Sequence, residues 1–334
     1  MDIDPFSLPL SQPLTTAAGT IETRDGFVVR VTIDGTEGLG EATPLAGWTE
    51  SYDACERALQ TIEDPKSAIE NESLTDSPAA RHGLSLAVLD ARSRAAEQPL
   101  YRYLGGTDCR ESVPVNATIG DGAPDETASA AAAGTASGFP AIKLKVGVRT
   151  PEEDLERLGA VRERCPDVEL RIDANGAYSV DTALELLPKL SALDVAVLEQ
   201  PLAAGELAGH ARLRGEGVEI AIDEGLAEHG PETILAADAA DLLVCKPMAL
   251  GGVDRAREII NSARADGADA LVTTTIDGAI ARAGAVHLAA SVPEIRACGL
   301  ATAGMLGSDL RSGVVPVEDG SIAVPQGKGN IPRR

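Results

Sequence analysis

From position 113 onward the apolar residues recur as short runs separated by longer amphipathic stretches. The runs at 113–119, 141–146, 168–173, 195–199, 218–223, 242–246 and 270–274 read as strands, and a shorter one lies near 296–300. Stretches such as 152–165 and 182–191 repeat apolar positions at helical spacing. Seven or eight strand–helix units in roughly 190 residues predict parallel strands closed into a barrel. An open doubly wound sheet is the alternative, but its glycine-rich first turn is missing.

The first hundred residues follow a different pattern, strands and then helices, which predicts an α+β arrangement. Antiparallel strands are expected over 15–42. Thr23-Arg24-Asp25-Gly26 predicts a turn, Phe27 to Ile33 alternates, and Asp34-Gly35 turns into a strand carrying Gly38-Leu39-Gly40-Glu41. That Gly-x-Gly opens no helix, so it predicts close backbone packing and not a nucleotide site. The loop at 44–50 holds the only tryptophan, Trp48, which either plugs the core or forms a lid over a site. Helices follow at 51–63 and from Ser77 (N-cap) with Pro78 in the first turn, through Leu84, Val88, Ala91 and Ala95, to Gln98-Pro99. Extended runs at 314–317 and 321–324 flank Asp319-Gly320 and are expected to return to this first domain. The domains expected are 1–108 completed by 301–334, and a barrel over 109–300.

Composition narrows the function. Lys and Arg total 29 against 52 Asp and Glu, a net charge of -23, which excludes a nucleic-acid partner because phosphate neutralisation needs basic residues. The acids are spread along the whole chain, as on a self-repelling surface suited to high salt. Stability should therefore rise as potassium chloride approaches molar levels in thermal melts. Cys55, Cys109, Cys165, Cys245 and Cys298 are scattered without a C-x-x-C pair and predict reduced thiols in a cytoplasm. No leader pattern and no apolar run of about 18 residues occurs, so no membrane partner is expected. A homo-oligomer stays open. The only lysines are Lys66, Lys143, Lys145, Lys189, Lys246 and Lys328, and half of them fall at two strand ends.

Three predicted strands end in an acid: Asp173, Glu199 and Asp223. Lys145 and Lys246 end the flanking runs at the same period. In a barrel the C-terminal strand ends meet at one mouth. Three carboxylates there resist ionisation beside one another unless a cation sits among them. An all-oxygen set selects a hard divalent ion, Mg²⁺ first and Mn²⁺ as a substitute. Lys143 and Lys145, two apart, share a face; an amine near a second amine and a metal has its ammonium form disfavoured, which yields a general base. Lys246 approaches from the opposite side. Two amines across a metal suit removal of a proton next to a carboxylate, with an enediolate stabilised by the metal, so a small-molecule carboxylate is the expected substrate.

Lys143-Leu144-Lys145, Asp173-Ala174-Asn175, Glu199-Gln200-Pro201, Asp223-Glu224 and Lys246-Pro247 with Gly251-Gly252 resemble the enolase superfamily, muconate-lactonising subgroup. Residues 91–106, ending in Pro-Leu-Tyr-Arg-Tyr-Leu-Gly-Gly, resemble the close of that family's capping domain. The resemblance spans most of the chain and implies a modified (β/α)7β TIM-type barrel with an α+β N-terminal capping domain. Thr23 to Gly26 and Gly38 to Trp48 are similar to o-succinylbenzoate synthases of menaquinone biosynthesis. Those lyases dehydrate 2-succinyl-6-hydroxy-2,4-cyclohexadiene-1-carboxylate. The resemblance implies that Lys145 removes the α-proton and then protonates the departing hydroxyl. Lys246 faces the other side as a fixed cation or as a second acid/base. It further implies support from Lys143 and Asn175, substrate contact or ligand orientation by Arg171, and a hydroxyl-rich strand end at Thr273, Thr274 and Thr275 near the succinyl group. In Gly299-Leu300-Ala301-Thr302 the acid that many relatives carry after the leucine is absent, which counts against dipeptide epimerases. None of His82, His210, His229 and His287 falls at a strand end, against a histidine-based branch. Racemisation of N-succinylamino acids or epimerisation of dipeptides would use the same machinery and stays the alternative; a non-catalytic binding module is the remote one.

Overall fold

In the computed structural model, which describes residues 1–16 and 19–332, three antiparallel strands come first. They are β1 (Asp2–Thr16), β2 (Gly19–Ile33) and β3 (Thr36–Ala42), paired in that order. The sequence pattern places the first strand near 15, yet β1 starts at Asp2. Pro5, Pro9 and Pro13 argue against a central strand, but β1 is an edge, where a proline can turn its missing N–H away from the ladder. Thr23-Arg24-Asp25-Gly26 is not a turn: β2 runs through it, with Arg24 opposite Leu8 and Gly26 opposite Phe6. A distant partner strand overrides the local turn signal there. Asp34-Gly35 is a turn as expected, with φ of 49° and 80°.

The helices α1 (Tyr52–Gln60), α2 (Pro65–Glu70), α3 (Pro78–Ala95) and α4 (Leu100–Tyr103) follow. Ser77 precedes α3 but makes no side-chain cap. Glu50, from the tryptophan loop, takes the free N–H groups of Ala79 and Ala80 instead, at 3.0 and 2.8 Å. α3 lies directly on β3: a Cβ on Gly38 would strike the Ala87 carbonyl, and one on Gly40 the Gly83 carbonyl. Gly-x-Gly therefore serves backbone packing. Phe27, Val29 and Val31 meet Leu84, Ala87 and Val88 in one core, while Val28 and Leu39 join the core of the barrel.

The expected run at 113–119 is split into β4 (Ser112–Pro114) and β5 (Asn116–Ile119). Then helices and strands alternate: α5 (Pro124–Ala136), β6 (Ala141–Lys145), α6 (Pro151–Arg164), β7 (Glu169–Asp173), α7 (Val180–Ala192), β8 (Val195–Glu199), α8 (Leu207–Leu213), β9 (Glu219–Ile222), α9 (Glu224–His229), α10 (Pro231–Ala236), β10 (Leu242–Cys245), α11 (Pro247–Leu250), α12 (Val253–Ala265), β11 (Asp269–Val272) and α13 (Ala279–Ser291). Strands β5 to β11 form one parallel sheet in chain order. Cys298 and Gly299 close it by bridging Val115 and Thr273, which makes a (β/α)7β barrel. β12 (Val317–Glu318) pairs with β13 (Ser321–Ala323), and β13 pairs with β4, not with the N-terminal sheet. The chain beyond them does reach the first helices: Arg94 donates to the Ile331 carbonyl at 2.6 Å, and the Asn330 N–H to Asp90 at 2.6 Å.

Inside the barrel, Val197, Ala221, Leu242, Val244 and Leu271 form a separate apolar cluster. Glu199, Asp223 and Lys246 lie two residues beyond Val197, Ala221 and Val244, and so on the same face nearer the C-terminal mouth. The interior is thus apolar below and charged at the top. Cys55, Cys165, Cys245 and Cys298 are buried and Cys109 is exposed. No helix among the described residues is long and apolar enough to cross a membrane.

Candidate active site

Register sets the geometry of the mouth. Lys145, Asp173 and Glu199 are direct neighbours across β6, β7 and β8. Glu199 is opposite Ala221, so Asp223 stands two residues further along, just before α9. The three acids are therefore not at one level, as the even spacing suggests; they share a face in a staggered row, as strands tilted in a barrel require. Lys143 donates to Glu199 at 2.6 Å and contacts Asp173 at 2.8 Å. Lys145 donates to the same Asp173 oxygen at 2.6 Å and to Asn175 Oδ1 at 2.7 Å. Asn175 donates from Nδ2 to Glu224 at 2.9 Å and so links the two sides of the mouth.

Across the mouth, Lys246 contacts both oxygens of Asp223 at 2.6 and 2.5 Å. The half-buried Trp48 lies on this lysine, with Nζ 3.4 Å from its ring centroid. A half-buried ring set on an amine is not the core plug that one reading of the 44–50 loop expects.

The supporting residues divide. Thr273 donates to the Gly299 carbonyl at 2.9 Å, and Thr274 and Thr302 share a hydroxyl contact of 2.9 Å at the closing seam. Arg171, 2 % exposed, touches neither Asp173 nor Glu199 in any hydrogen bond; it donates to Glu169 and, at 2.7 Å, to the Ala297 carbonyl, fastening the seam. Its Nη2 has no partner among the described residues, and Arg171 lines a cavity of about 70 Å³ with Asn116, Thr118, Lys143 and Thr273. Gln200, singled out in the sequence only as part of Glu199-Gln200-Pro201 and without a role, accepts the N–H groups of Asp223 and Gly225 on its Oε1 at 3.0 and 3.1 Å. Its φ of 39° is unusual for a non-glycine residue, and strain of this kind clusters at functional sites.

Electrostatics follow from burial and pairing. Burial would raise the Asp173 carboxyl, but Lys143 and Lys145 outweigh it and hold the group well below the usual range. Burial above all, with Asp173 and Asp223 beside it, pushes Glu199 up despite Lys143. Burial would lower Lys143, but Glu199, Asp173 and Asp223 together raise it. The mutual depression expected of paired amines is thus not what Lys143 experiences, because three carboxylates face it.

Among the described residues no group of three or more His, Cys, Asp or Glu side chains is arranged to hold a metal ion; ammonium groups stand between the acids. The donor chemistry still fits a hard cation. Three buried carboxylates on consecutive strands supply only oxygen, and the place where Lys143 spans two of them already holds a positive charge.

The family described as enolase C-terminal domain-like matches residues 126–330, and the one described as MenC, N-terminal domain, matches residues 2–91. The chain is 29% identical over 339 residues to the L-Ala-D/L-Glu epimerase of Bacillus subtilis, covering 96% of this chain and 92% of that one. It is 37% identical over 206 residues to the o-succinylbenzoate synthase of Thermobifida fusca, covering 60% of this chain and 63% of that one. Its fold matches the dipeptide epimerase of Enterococcus faecalis complexed with Mg and L-Leu-L-Tyr, with a TM-score of 0.88 at 26% identity, over 98% and 97% of the chains. With family matches over both the cap and the barrel, and lysines and acids facing one another at the barrel mouth, the chain belongs to the enolase superfamily.

Proposed function

We propose that the protein is an o-succinylbenzoate synthase, a Mg²⁺-dependent lyase that removes water from 2-succinyl-6-hydroxy-2,4-cyclohexadiene-1-carboxylate. The observation that carries the choice within the superfamily is the MenC N-terminal match over residues 2–91, which includes the whole capping sheet and the Trp48 lid. The barrel lysines and acids suit every carbon-acid reaction of the family and do not discriminate. In this reading 1–108 with 301–334 cap a catalytic barrel over 109–300.

Asp173, Glu199 and Asp223 would hold Mg²⁺, or Mn²⁺ in its place, and the ion supplies fixed positive charge for the charge that develops on the substrate carboxylate. With Asp173 so committed, Lys145 keeps Asn175 as its partner, and its Nζ takes the α-proton. The same nitrogen returns that proton to the departing hydroxyl on the same face, so water leaves by syn elimination. Lys246, covered by the Trp48 ring, presents positive charge to the other face. Lys143 supports the acids; Thr273 and Thr274 line the seam toward which the succinyl arm would extend.

A second reading, N-succinylamino acid racemase or dipeptide epimerase, is favoured by the two lysines on opposite sides of the acids and by full-length epimerase relatives. The two are separated by assaying the purified protein with Mg²⁺, in high salt, on the cyclohexadiene carboxylate and on N-succinylamino acids. Dehydration is expected to have the higher kcat/KM. Faster exchange of the amino-acid α-proton in D₂O would replace the first reading with the second.

A further inference from the structure

Three buried charges sit where the capping sheet meets the barrel, away from the lysines and acids of the mouth. Arg24 of β2 is 2 % exposed and Glu41 of β3 fully buried. Asp277, in the loop between β11 and α13, is buried beside both. Arg24 donates to the carbonyls of Thr43 and Pro44, each at 2.9 Å, where the Trp48 loop begins. The same guanidinium donates at 3.3 Å to the carbonyl of Ile276. Glu41 accepts from the N–H groups of Gly278, Ile280 and Ala281 at 2.6, 3.1 and 2.9 Å, the free donors at the start of α13, and from Thr43 Oγ1 at 2.7 Å.

Two further observations give this cluster a direction. Ile276 has φ of 62°, a conformation that a β-branched residue adopts only under constraint. Its side chain is anchored among Leu8 of β1 and Leu306, so the cap holds it from the apolar side while Arg24 holds its carbonyl. The Thr43 N–H meets Met248 Sδ at 3.4 Å, two residues after Lys246. A buried charge cluster is a poor source of net stability, since apolar residues of similar volume do as well or better; its best-attested use is to fix register. Here the register fixed is that between the lid and two barrel loops.

We infer that Arg24 and Glu41 are positioning residues that lock the Trp48 lid and the strained 273–278 loop to each other, so that the capping sheet sets the ring of Trp48 on Lys246. Neither side chain reaches the mouth; each acts through main-chain groups of the two loops. The inference deepens the functional reading only in its activity arm, since the lid contact exists whichever carboxylate is turned over.

Trp48 is the only tryptophan, so its fluorescence reports the contact directly, without substrate or metal. The test compares acrylamide quenching and kcat/KM of the wild type, Arg24→Met, Arg24→Lys and Glu41→Gln. Arg24→Met is expected to expose Trp48 to the quencher and to lower kcat by about 10²-fold, the cost of a misplacement near 1 Å. Arg24→Lys is expected to rescue little, because an ammonium cannot span three carbonyls held by one planar fork. Glu41→Gln attacks the joint from the barrel side and keeps the test alive where Arg24→Met does not fold. Variants that melt earlier but retain wild-type quenching and wild-type kcat per folded enzyme would overturn the inference. Altered quenching in a protein inactive on every carboxylate would keep it and remove the functional reading alone.

Discussion

The two flanks of the barrel mouth carry the same pair, an ammonium on a carboxylate, and hold it differently. The Lys145 side chain is 38% exposed and shares one oxygen of Asp173 with Lys143. The Lys246 side chain is 12% exposed, takes both oxygens of Asp223, and is covered by the Trp48 ring. An amine that shares its carboxylate and opens to solvent is the less constrained and the more accessible to a substrate. One held by two oxygens and an aromatic face is fixed in position. Under the proposed elimination the open flank would carry the proton and the covered flank would be the fixed cation.

The largest effect should come from the open flank. Lys145→Ala is expected to lower kcat/KM for dehydration by about 10³-fold, within the usual range for a lost general base. Trp48 emission should stay as in the wild type, since the other flank is untouched. Lys246→Arg is the sharper test. A guanidinium keeps the charge but cannot give up its proton. Dehydration should fall by only about tenfold if Lys246 acts as charge alone, because part of the electrostatic stabilisation survives the change of shape. Exchange of an α-proton from that face, followed by NMR in D₂O, should vanish. Equal losses in the two variants on dehydration would erase the difference between the flanks.

How much of this was legible in the sequence also differs by flank. Asp173, Glu199 and the lysines close apolar runs, and strand parity alone turns them inward. The stagger of Asp223 was not legible, because the pairing of Glu199 with Ala221 depends on barrel tilt, which no local pattern encodes. Trp48 was equivocal for a related reason: its position depends on contacts more than 190 residues away, the Lys246 amine under its ring and the Met248 sulfur under Thr43. The turn expected at 23–26 failed in the same region. Arg24 reads as a turn residue among Thr, Asp and Gly, while its guanidinium is buried in the joint with Ile276. Gln200 and Glu224 gain their roles from backbone N–H groups and from Asn175, which become neighbours only once the strands are assembled.

A smaller effect is expected from the lid itself. Trp48→Leu keeps an apolar cover but removes the aromatic face, worth about 0.5–2 kcal/mol to a nearby cation. kcat/KM should fall by about 2- to 30-fold, that energy converted at 1.4 kcal/mol per decade. Lys145→Ala combined with Trp48→Leu should show losses that add, since the residues lie on different flanks. Strong non-additivity would mean that the lid senses both lysines, and the comparison between flanks would lose its basis.

The smallest effect concerns stability beneath the closed flank. Glu41, fully buried, is pushed from 4.5 up to about 7, by burial first and Asp277 second. A carboxyl raised in the fold is favoured there in its protonated form. Its contribution is complete below about pH 4.5, fades as pH rises towards 7, and is gone above it, a change on the order of 3 kcal/mol at most. Glutamine cannot titrate, but its amide turns an N–H₂ toward backbone donors, so Glu41→Gln should be less stable at pH 5. The gap to the wild type should narrow from pH 5 to pH 8 in urea melts. A gap that is constant across this range would show that Glu41 ionises at its ordinary pH, and that the joint under the Trp48 flank holds its charge without cost.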